Sequence, residues 1–483
     1  MVICLLAAGS RAFAVDPVAE RRMEAFASAR ENIEVIIGIA PSIAPSLETE
    51  RFQRELGLQL ARGNGPGWQT TIRFQTLTLD RFELSADRLV YFFDPSTRQE
   101  DGSKPFDKTF VVVLSGTGSG TSYQVIEYDW FLESTSDVVA GTSSLRGFLA
   151  SDLTTAIDHA YRRLMKLERG EGDQFVAVLK GGELVHEEAG DGLIKAGEFY
   201  APVNFYLDRK GKLLNREFIP WTYLKVEQKD RSKVDGTVVS AYRGILSGRR
   251  RRVETYAYRL RANFPATEIT FIRRDENKSR LAGYLVKTVP VEKPIKSEEE
   301  VVPQILQQGY TSRTGALNLI SQLEQPIVTV NVISGESILA KVPLMVGSAK
   351  SVQLEVPNDL VRLGVEGDLQ TLETELVDLV ARRAVLMATA RKAGKEGDLR
   401  ALDEMETELK AFPTSRQLLQ EITVVRVNSV NEALKQKNKA AATKVEKLCA
   451  AATELVEKHL DENVVLEFLA EIVELKKTIE AST

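Results

Sequence analysis

The stretch Val111-Val-Val-Leu-Ser-Gly-Thr-Gly-Ser-Gly-Thr-Ser-Tyr-Gln-Val-Ile-Glu-Tyr-Asp-Trp130 decides how the N-terminal part of the chain folds, because its glycine-rich loop directly follows an apolar strand. A dinucleotide-binding turn needs G-x-G-x-x-G ahead of a helix, whose N-terminus then meets the pyrophosphate. Here Thr121 stands where the third glycine belongs, no P-loop lysine is present, and residues 123–130 alternate as a second strand. The pattern therefore predicts a β-hairpin with a glycine-rich tip and no nucleotide cofactor.

Around this hairpin, strands and helices intermix and predict an α+β domain over residues 18–167. Period-two alternation and buried apolar runs predict strands over 33–39, 71–77 and 82–91, and helical spacing predicts helices over 48–61 and 149–167. We expect an antiparallel sheet with helices on one face from this order of elements.

Residues 172–275 contain short, regularly spaced strands that are separated by turn signals such as Lys180-Gly-Gly and Asp208-Arg-Lys-Gly211. The predicted strands cover residues 175–179, 199–207, 221–226, 238–242, 253–260 and 268–272. This spacing favours a small β-barrel of SH3-like or related kind, closed so that few strand edges are exposed.

Residues 276–357 contain strands bounded by glycine, including Gly309-Tyr-Thr-Ser-Arg-Thr-Gly315-Ala-Leu-Asn-Leu. Gly309, Thr311 and Gly315 fall on the G-x-T-x-x-x-G turn that joins two core strands in small Ig-like domains of the carboxypeptidase-regulatory and surface-repeat type. The region resembles those domains, and the resemblance implies an Ig-like β-sandwich. The segment 290–303, rich in Lys, Glu and Pro, departs from a compact version and predicts a long loop.

Residues 358–483 change from alternation to helical periodicity. Leucines at 369, 372, 376 and 379 repeat at three- and four-residue steps, and Asn358 or Asp359 is positioned to cap the first helix. Breaks at Gly394, Gly397 and Pro413 predict an antiparallel α-helical bundle. The chain is thus predicted to be a multidomain α+β protein.

The N-terminus predicts export. Residues 1–14 form a short apolar run that ends in Ala12-Phe-Ala14, the small-x-small pattern that signal peptidase accepts. A basic n-region is missing, which we attribute to a start site assigned too far downstream; the alternative is a buried N-terminal strand. A signal peptide implies a periplasmic or secreted protein. The run is also far shorter than the roughly 20 residues of a membrane span, so no transmembrane span is predicted.

Composition and cysteine content exclude several classes. The chain is 43% hydrophobic and 27% charged with a net charge of −5, typical of globular proteins and without the basic surface that nucleic acids require. We therefore predict no nucleic-acid partner. Cys449 would be the only cysteine left after removal of Cys4 with the signal, which excludes an intrachain disulfide framework and a multi-cysteine zinc site.

Catalytic signatures are also missing from the sequence. His159, His186 and His459 lie in three different predicted regions, and none has a second ligand at metal-binding spacing. No G-x-S-x-G elbow accompanies a histidine, so nucleophilic catalysis is not predicted. We predict no catalytic, metal-binding or cofactor-binding residue. A glycosidase-like carboxylate pair stays open, because carboxylates are plentiful and nothing distinguishes two of them.

Two features are candidate binding surfaces. The basic run Arg249, Arg250, Arg251 and Arg252 could bind an anionic partner through bidentate hydrogen bonds, or could be a solvated loop paired with nearby acids. An aromatic shelf made by Tyr200, Trp221 and Tyr223 could bind a peptide or sugar, or could be barrel core.

These patterns favour an exported, non-enzymatic binding or structural protein of the bacterial cell envelope, which contacts a protein or an envelope polymer. The first alternative is a secreted hydrolase with an unrecognised carboxylate pair, which predicts a deep cleft containing acids with raised pKa values. The second is an oligomeric scaffold that self-associates through its C-terminal helices.

Overall fold

The computed structural model describes residues 17–97, 103–117, 120–184, 194–244, 246, 252–275, 277–291, 304–322, 324–335 and 337–482. Over these residues the chain is mixed α+β, with strands in four sheets followed by long C-terminal helices. The predicted α+β class is confirmed. The domain boundaries at 18–167, 172–275, 276–357 and 358–483 stay predictions, and the signal peptide at 1–14 lies outside the described residues.

The N-terminal region is a six-stranded sheet with helices. Its elements are α1 (Pro17–Ala27), β1 (Glu31–Ile39), α2 (Thr49–Asn64), β2 (Trp68–Thr76), β3 (Lys108–Thr117), β4 (Gly120–Asp129), β5 (Ser134–Thr135), β6 (Val139–Ser143) and α3 (Leu149–Ala160). The strand order is β2-β1-β3-β4-β5, and β6 also pairs with β4. Residues of α2 and α3 pack on one face of the sheet, as predicted.

The prediction of an antiparallel sheet is wrong for this region. β1 is parallel to both β2 and β3, and only β3 and the strands that follow it are paired antiparallel. Val35, Ile36 and Ile37 in β1 are fully buried, as are Val111 and Val112 in β3. Continuous apolar runs of this kind are typical of parallel strands that are covered on both faces.

The glycine-rich loop is a hairpin, as predicted. β3 and β4 pair antiparallel, with Ser115 opposite Ser122 and Thr117 opposite Gly120. Gly120 is needed there because a Cβ at this position would lie 2.4 Å from the carbonyl oxygen of Ser143. No helix follows the loop, so the backbone offers no helix N-terminus to a phosphate.

Two further predictions for this region are wrong. Residues 82–91 form no strand; they include a 3-10 helix, Ala86–Tyr91, and their apolar side chains cover the sheet face opposite α2 and α3, where Leu89 packs with Ile36 and Val111. The sequence predicts a helix over residues 149–167, but the observed helix ends at Ala160. Residues 164–167 belong to the first strand of the next sheet. In both segments the spacing of the apolar residues reflects which side chains are buried against neighbouring elements. It does not follow the period of the local secondary structure.

The second region is a closed barrel, as predicted. Its strands are β7 (Leu164–Glu171), β8 (Gln174–Leu179), β9 (Phe199–Leu207), β10 (Leu213–Phe218), β11 (Thr222–Asp230), β12 (Lys233–Ser240) and β13 (Val253–Leu260). The order β9-β11-β12-β8-β7-β13 returns to β9, which closes a ring of six strands, and β10 pairs with β9 outside the ring. Its SH3-like type stays a prediction.

The third region consists of two sheets that share one hydrophobic core. Its strands are β14 (Ala266–Arg273), β15 (Leu285–Pro290), β16 (Gln307–Tyr310), β17 (Ala316–Ile320), β18 (Ile327–Ser334), β19 (Ser337–Met345) and β20 (Ser351–Val356). The sheet orders are β17-β14-β20 and β16-β15-β18-β19. Residues 268–272, predicted as a barrel strand, lie in β14 and pair with β17 and β20 instead, because Ile269 and Phe271 are buried in this core.

The turn on which the Ig-like resemblance rests is well ordered by hydrogen bonds. The Thr311 hydroxyl donates to the Leu281 carbonyl at 2.6 Å and accepts from the Tyr284 amide at 2.9 Å. Gly315 has φ +70°, and a Cβ there would lie 2.8 Å from the carbonyl oxygen of Phe271. The resemblance to carboxypeptidase-regulatory domains itself stays a prediction.

The C-terminal region is helical. Its elements are α4 (Leu360–Glu396), α5 (Leu399–Lys410), α6 (Ser415–Lys435), α7 (Lys439–His459) and α8 (Glu462–Ser482). The 37-residue α4 packs against all four others through one hydrophobic cluster. The helix ends at Gly397, which has φ +72°, whereas Gly394 lies inside it and lets Leu475 of α8 approach closely. The predicted break at Gly394 is therefore wrong.

Replacing Gly57 by alanine is expected to raise the free energy of unfolding by about 0.5–1 kcal/mol, since glycine is unfavourable inside a helix. Gly57 lies within α2, and a methyl group there would be 3.8 Å from the nearest atom, Ile72 Cδ1, an ordinary van der Waals contact. Urea denaturation measures the change. The matched variant Gly38→Ala should lose stability, because its Cβ would lie 2.9 Å from Phe92. A destabilised Gly57→Ala protein would contradict the prediction.

Candidate functional site

A cleft of about 380 Å³ lies where three parts of the fold meet. The end of α3 and the segment between β5 and β6 form one wall, and the barrel strands β9, β11 and β13 form another. The turn between β19 and β20 contributes Ser348 and Ala349. Cavities of this size accommodate small ligands or a short segment of a polymer.

Trp221 is the most unusual residue of the cleft. It lies in the tight connection between β10 and β11 and has φ +52°, a left-handed conformation that is rare for a bulky residue. Its carbonyl accepts a hydrogen bond from the Ala241 amide at 3.0 Å, and its side chain packs on the core of the third region. Such strain costs on the order of 1–3 kcal/mol and is concentrated at functional sites in proteins.

A second aromatic group faces the cleft beside Trp221. Phe218 at the end of β10 is 44% exposed, and its ring makes a T-shaped contact with Tyr258, with the ring centroids 6.1 Å apart. The Arg162 guanidinium carbon lies 5.5 Å from the centroid of the Tyr258 ring, a cation–π arrangement. The wall therefore offers flat apolar surfaces next to a positive charge.

Two further arginines line the floor, and each has an acidic partner behind the wall. Arg259 Nη2 lies 3.0 Å from Glu198 Oε1, and Arg261 Nη2 donates to Asp158 Oδ2 at 2.7 Å. These pairs use only part of the five N–H donors of each guanidinium. Arg261 Nε is buried and has no hydrogen-bond partner among the described residues, and the same holds for Glu198 Oε2. Both atoms are shielded from solvent and do not themselves reach the cleft.

Arg162 is held in place by a buried ion cluster between the N-terminal sheet and the barrel. Its Nε lies 3.0 Å from Glu127 Oε1, and its carbonyl accepts a hydrogen bond from Lys108 Nζ at 2.8 Å. Lys108 also donates to Glu127 and to Asp129, and all three of these side chains are at most 1% exposed. The orientation of Arg162 in the cleft therefore depends on this cluster.

Two titratable groups of the cleft have shifted pKa values. Burial raises the pKa of Asp137, although Arg162 opposes the shift. Partial burial, together with the neighbouring Arg261, lowers the pKa of His159. His159 lies on the last turn of α3 and is exposed as a whole residue. Asp137 is the only acid among the described residues that line the cleft, against Arg162, Arg259 and Arg261.

The structure brings part of the predicted aromatic shelf to the cleft. Trp221 and Tyr223 both line it. Tyr223 is 8% exposed and packs between the barrel and Met345, and burial raises its pKa to about 12. Tyr200 does not reach the surface, since it is fully buried in the barrel core, and it does not line the cleft.

Only the last residue of the predicted basic run lies within the described residues, and it does not line the cleft. Arg249, Arg250 and Arg251 lie outside the described residues, and Arg252 is exposed just before β13. Arg259 near the other end of β13 faces the cleft, about 23 Å further along an extended strand. A binding role for the basic run stays a prediction.

Most residues of the cleft carry no sequence signal. Arg162, His159 and Asp137 come from the N-terminal region, and Arg259 and Arg261 come from a barrel strand and its end. The one available hint was the Tyr258-Arg-Leu-Arg261 sequence, in which an aromatic strand carries two cationic residues two positions apart. Over the described residues, no group of three or more His, Cys, Asp and Glu side chains is placed to bind a metal ion.

No family model and no curated protein sequence matches this chain. Among solved structures, the crystal structure of TolB from Acinetobacter baumannii aligns with a TM-score of 0.18 and 12% identity, over 66% of this chain and 84% of that chain. The Bacillus anthracis TIE protein aligns with a TM-score of 0.13 and 11% identity, over 46% of each chain. The chain is similar to these two proteins only at a level too low to establish a common fold.

Proposed function

We propose that the protein is an exported, non-enzymatic binding protein of the cell envelope, and that the cleft beside Trp221 holds a segment of its partner. The strained backbone of Trp221 at the wall of the cleft is the observation that carries this proposal. A strained backbone conformation persists only where the surrounding structure fixes it, and such residues are concentrated at binding and active sites. A flat ring also contributes a large contact area at a small cost in side-chain entropy.

The chemistry of the wall favours a partner that combines an anionic group with an apolar or flat face. Arg162, Arg259 and Arg261 line the cleft with a single acid among the described residues, Asp137, and guanidinium groups bind carboxylate or phosphate oxygens through charge-assisted hydrogen bonds. Phe218 and Trp221 supply the apolar surface. A carboxylate-bearing segment of an envelope protein or of an envelope polymer has both properties.

A secreted hydrolase is the second candidate, because Asp137 with a raised pKa and His159 line the same cleft. A glycosidase mechanism needs two facing carboxyl groups, and among the described lining residues only Asp137 supplies one. This favours binding over hydrolysis. Release of new reducing ends from an envelope polymer, abolished in an Asp137→Asn variant that still binds the polymer, would reverse that preference.

Export rests on the N-terminal sequence alone. Residues 1–14 have the apolar run and the Ala12-Phe-Ala14 pattern of a cleaved signal. None of the helices in the described residues combines the length and the hydrophobicity that a membrane span requires. N-terminal sequencing of the mature protein tests the proposal: a chain that begins at Val15 supports export, and a retained Met1 contradicts it.

Replacing Trp221 by alanine is expected to weaken partner binding at least tenfold, the loss that corresponds to about 1.4 kcal/mol. The retention of envelope-extract components on immobilised protein, measured quantitatively by mass spectrometry, checks this. Arg261→Met should give a similar loss, and retention by the native protein should fall as salt rises, because charges are screened.

The control is Phe148→Ala, which removes an aromatic ring that is 60% exposed and lies outside the cleft. Its retention profile should equal that of the native protein. If Trp221→Ala and Phe148→Ala retain the same components in the same amounts, and both are folded by circular dichroism, the cleft is not the binding site.

A further inference from the structure

The outer face of α4 is apolar in its middle although no described part of the chain covers it. Its exposed apolar residues repeat at helical spacing and are Val377, Ala381, Ala384, Val385 and Ala388. Val377 and Val385 are 66% and 64% exposed. The opposite side of the same turns, with Leu376, Leu386 and Ala390, is buried in the helical cluster. A helix that is apolar on both sides is normally covered on both sides.

The charges of α4 are separated along its length about this apolar segment. Between residues 366 and 378 the helix has acidic residues and no basic one: Glu366, Asp368, Glu373, Glu375 and Asp378. Between residues 382 and 395 it has basic residues and no acidic one: Arg382, Arg383, Arg391, Lys392 and Lys395. A second α4 that runs in the opposite direction would place its basic half beside the acidic half of the first.

We propose that two copies of the chain associate through the outer faces of α4, packed antiparallel about a twofold axis. The same surface then serves both copies, as an isologous dimer interface requires. Small side chains such as Ala381 and Ala384 allow the helix axes to approach to about 8 Å, the close end of the usual range.

The positions of the apolar and charged residues select one register. A twofold axis between residues 382 and 383 places Ala381 opposite Ala384 of the second copy and Val377 opposite Ala388. The same register places Glu373 opposite Lys392, so that the ends of the apolar segment are closed by ion pairs. A shift by one helical turn in either direction sets Glu373 against Ala388, or Val377 against Lys392, and loses this complementarity.

The charged residues at the ends of the face are available for such pairs. Glu373 and Lys395 are exposed and have no ion pair within the described residues. Lys392 has only a surface contact with Glu396, at 3.8 Å with both side chains more than half exposed. Contacts of that kind contribute little and exchange readily. A second copy is therefore the occupant whose charges fit this face.

Sedimentation of the full chain tests the dimer, which should be populated increasingly as protein concentration rises. Val385→Glu is expected to weaken dimerisation at least tenfold, because it places a carboxylate on the apolar segment. The matched control is Val424→Glu, on an exposed face of α6 where Val424 is 52% exposed. A native protein that stays monomeric at its highest soluble concentration, or a dimer unaffected by Val385→Glu, would overturn the proposal.

Charge reversal tests the antiparallel pairing itself. Glu373→Lys alone sets two lysines against each other at each end of the interface, and Lys392→Glu alone sets two glutamates against each other. Each variant should be largely monomeric by itself, whereas an equimolar mixture of the two should dimerise, since both ends of the mixed dimer are complementary. If the mixture stays as monomeric as the single variants, Glu373 and Lys392 do not face each other.

Disulfide cross-linking between single engineered cysteines tests whether the two α4 helices are antiparallel. In a background with Cys4→Ser and Cys449→Ala, a Val377→Cys chain mixed with an Ala388→Cys chain should form a mixed disulfide on mild oxidation. Val377→Cys alone should not cross-link, because its two copies would lie about 16 Å apart along the axis. Cross-linking of Val377→Cys to itself at the rate of the mixture would show a parallel pair and overturn the proposed arrangement.

Discussion

Replacing Lys108 by methionine is expected to lower the free energy of unfolding by about 3–5 kcal/mol, the cost of leaving buried charges without their counter-ion. Lys108 Nζ lies 3.1 Å from Glu127 Oε1, donates to Asp129 as well, and is almost inaccessible to solvent. Methionine fills a similar volume without the charge. Arg162 remains beside Glu127, whereas Asp129 loses its one described ion-pair partner.

Chemical denaturation followed by tryptophan fluorescence measures this loss, because Trp130 is buried against the sheet that contains Lys108. Arg51→Met is the matched control in α2, where Arg51 pairs with Glu55 at 2.9 Å but both side chains are well exposed. That variant should change stability by less than about 0.5 kcal/mol. Adding Asp129→Asn to Lys108→Met should recover part of the loss, since the unpaired charge is then removed. A double variant less stable than Lys108→Met would contradict the charge explanation.

The pH dependence of this effect has a defined sign. Burial opposes the charge of Lys108, but Asp129 and Glu127 outweigh it, so that its pKa lies above the usual value in the folded protein. The raised pKa means that Lys108 contributes to the free energy of unfolding. This contribution is complete below the lysine pKa of the unfolded chain, about 10.4, and is lost as the pH rises through the pKa of the folded protein. Asp129 has the opposite shift: burial opposes its charge, but Lys108 and Arg162 outweigh burial and lower its pKa. Its contribution is complete above about pH 4 and is lost as the pH falls further.

The difference between native protein and Lys108→Met should therefore be largest across the neutral range and should shrink as the pH falls from about 4 through the lowered pKa of Asp129. Measuring the unfolding free energy of both proteins between acid and neutral pH checks this. A difference that stays constant down to the lowest accessible pH would assign the effect to packing. The variant should also weaken partner binding, because Lys108 helps to hold the carbonyl of Arg162 at the cleft.

The elements that could be predicted from the sequence are those whose burial pattern depends on their immediate neighbours. The hairpin between β3 and β4 and the closed barrel follow from alternation and turn residues, which report local pairing. The continuous apolar run around Ile36 and Ile37 favours a parallel strand, but it does not fix the direction of β1, because an antiparallel strand that is covered on both faces can have the same run. Strand direction depends on which segment crosses over, and that is a tertiary property.

The cleft shows a similar limit. Trp221 could be singled out from its sequence context, but alternation could not tell that Tyr200 points into the barrel while Trp221 lies in a connection outside it. Arg162 and Arg261 are distant in sequence and meet only because α3 ends against the barrel. Lys108 carries no signal at all, since one lysine at the start of an apolar strand usually lies in solvent.

A second large effect is expected at the junction between the third region and the helices, where Arg362→Met should lower the free energy of unfolding by about 3 kcal/mol. Arg362 lies in the first turn of α4 and is fully buried. Its Nε donates to Asp359 Oδ1 at 2.8 Å, and its Nη2 donates to the carbonyl of Ser334 at the end of β18 at 3.1 Å. One guanidinium thus joins a helix start to a sheet.

The loss arises because Asp359 is 6% exposed and would be left without the guanidinium that pairs with it. The carbonyl and the hydroxyl of Ser334 would also lose the donor that Arg362 supplies. Because this residue links two regions, calorimetry should show the helical transition moving to lower temperature and separating from that of the β regions. Arg382→Met is the control, since its pair with Glu408 is exposed and should contribute less than about 1 kcal/mol. Equal shifts for Arg362→Met and Arg382→Met would mean that the start of α4 is held to β18 by apolar packing and not by this guanidinium.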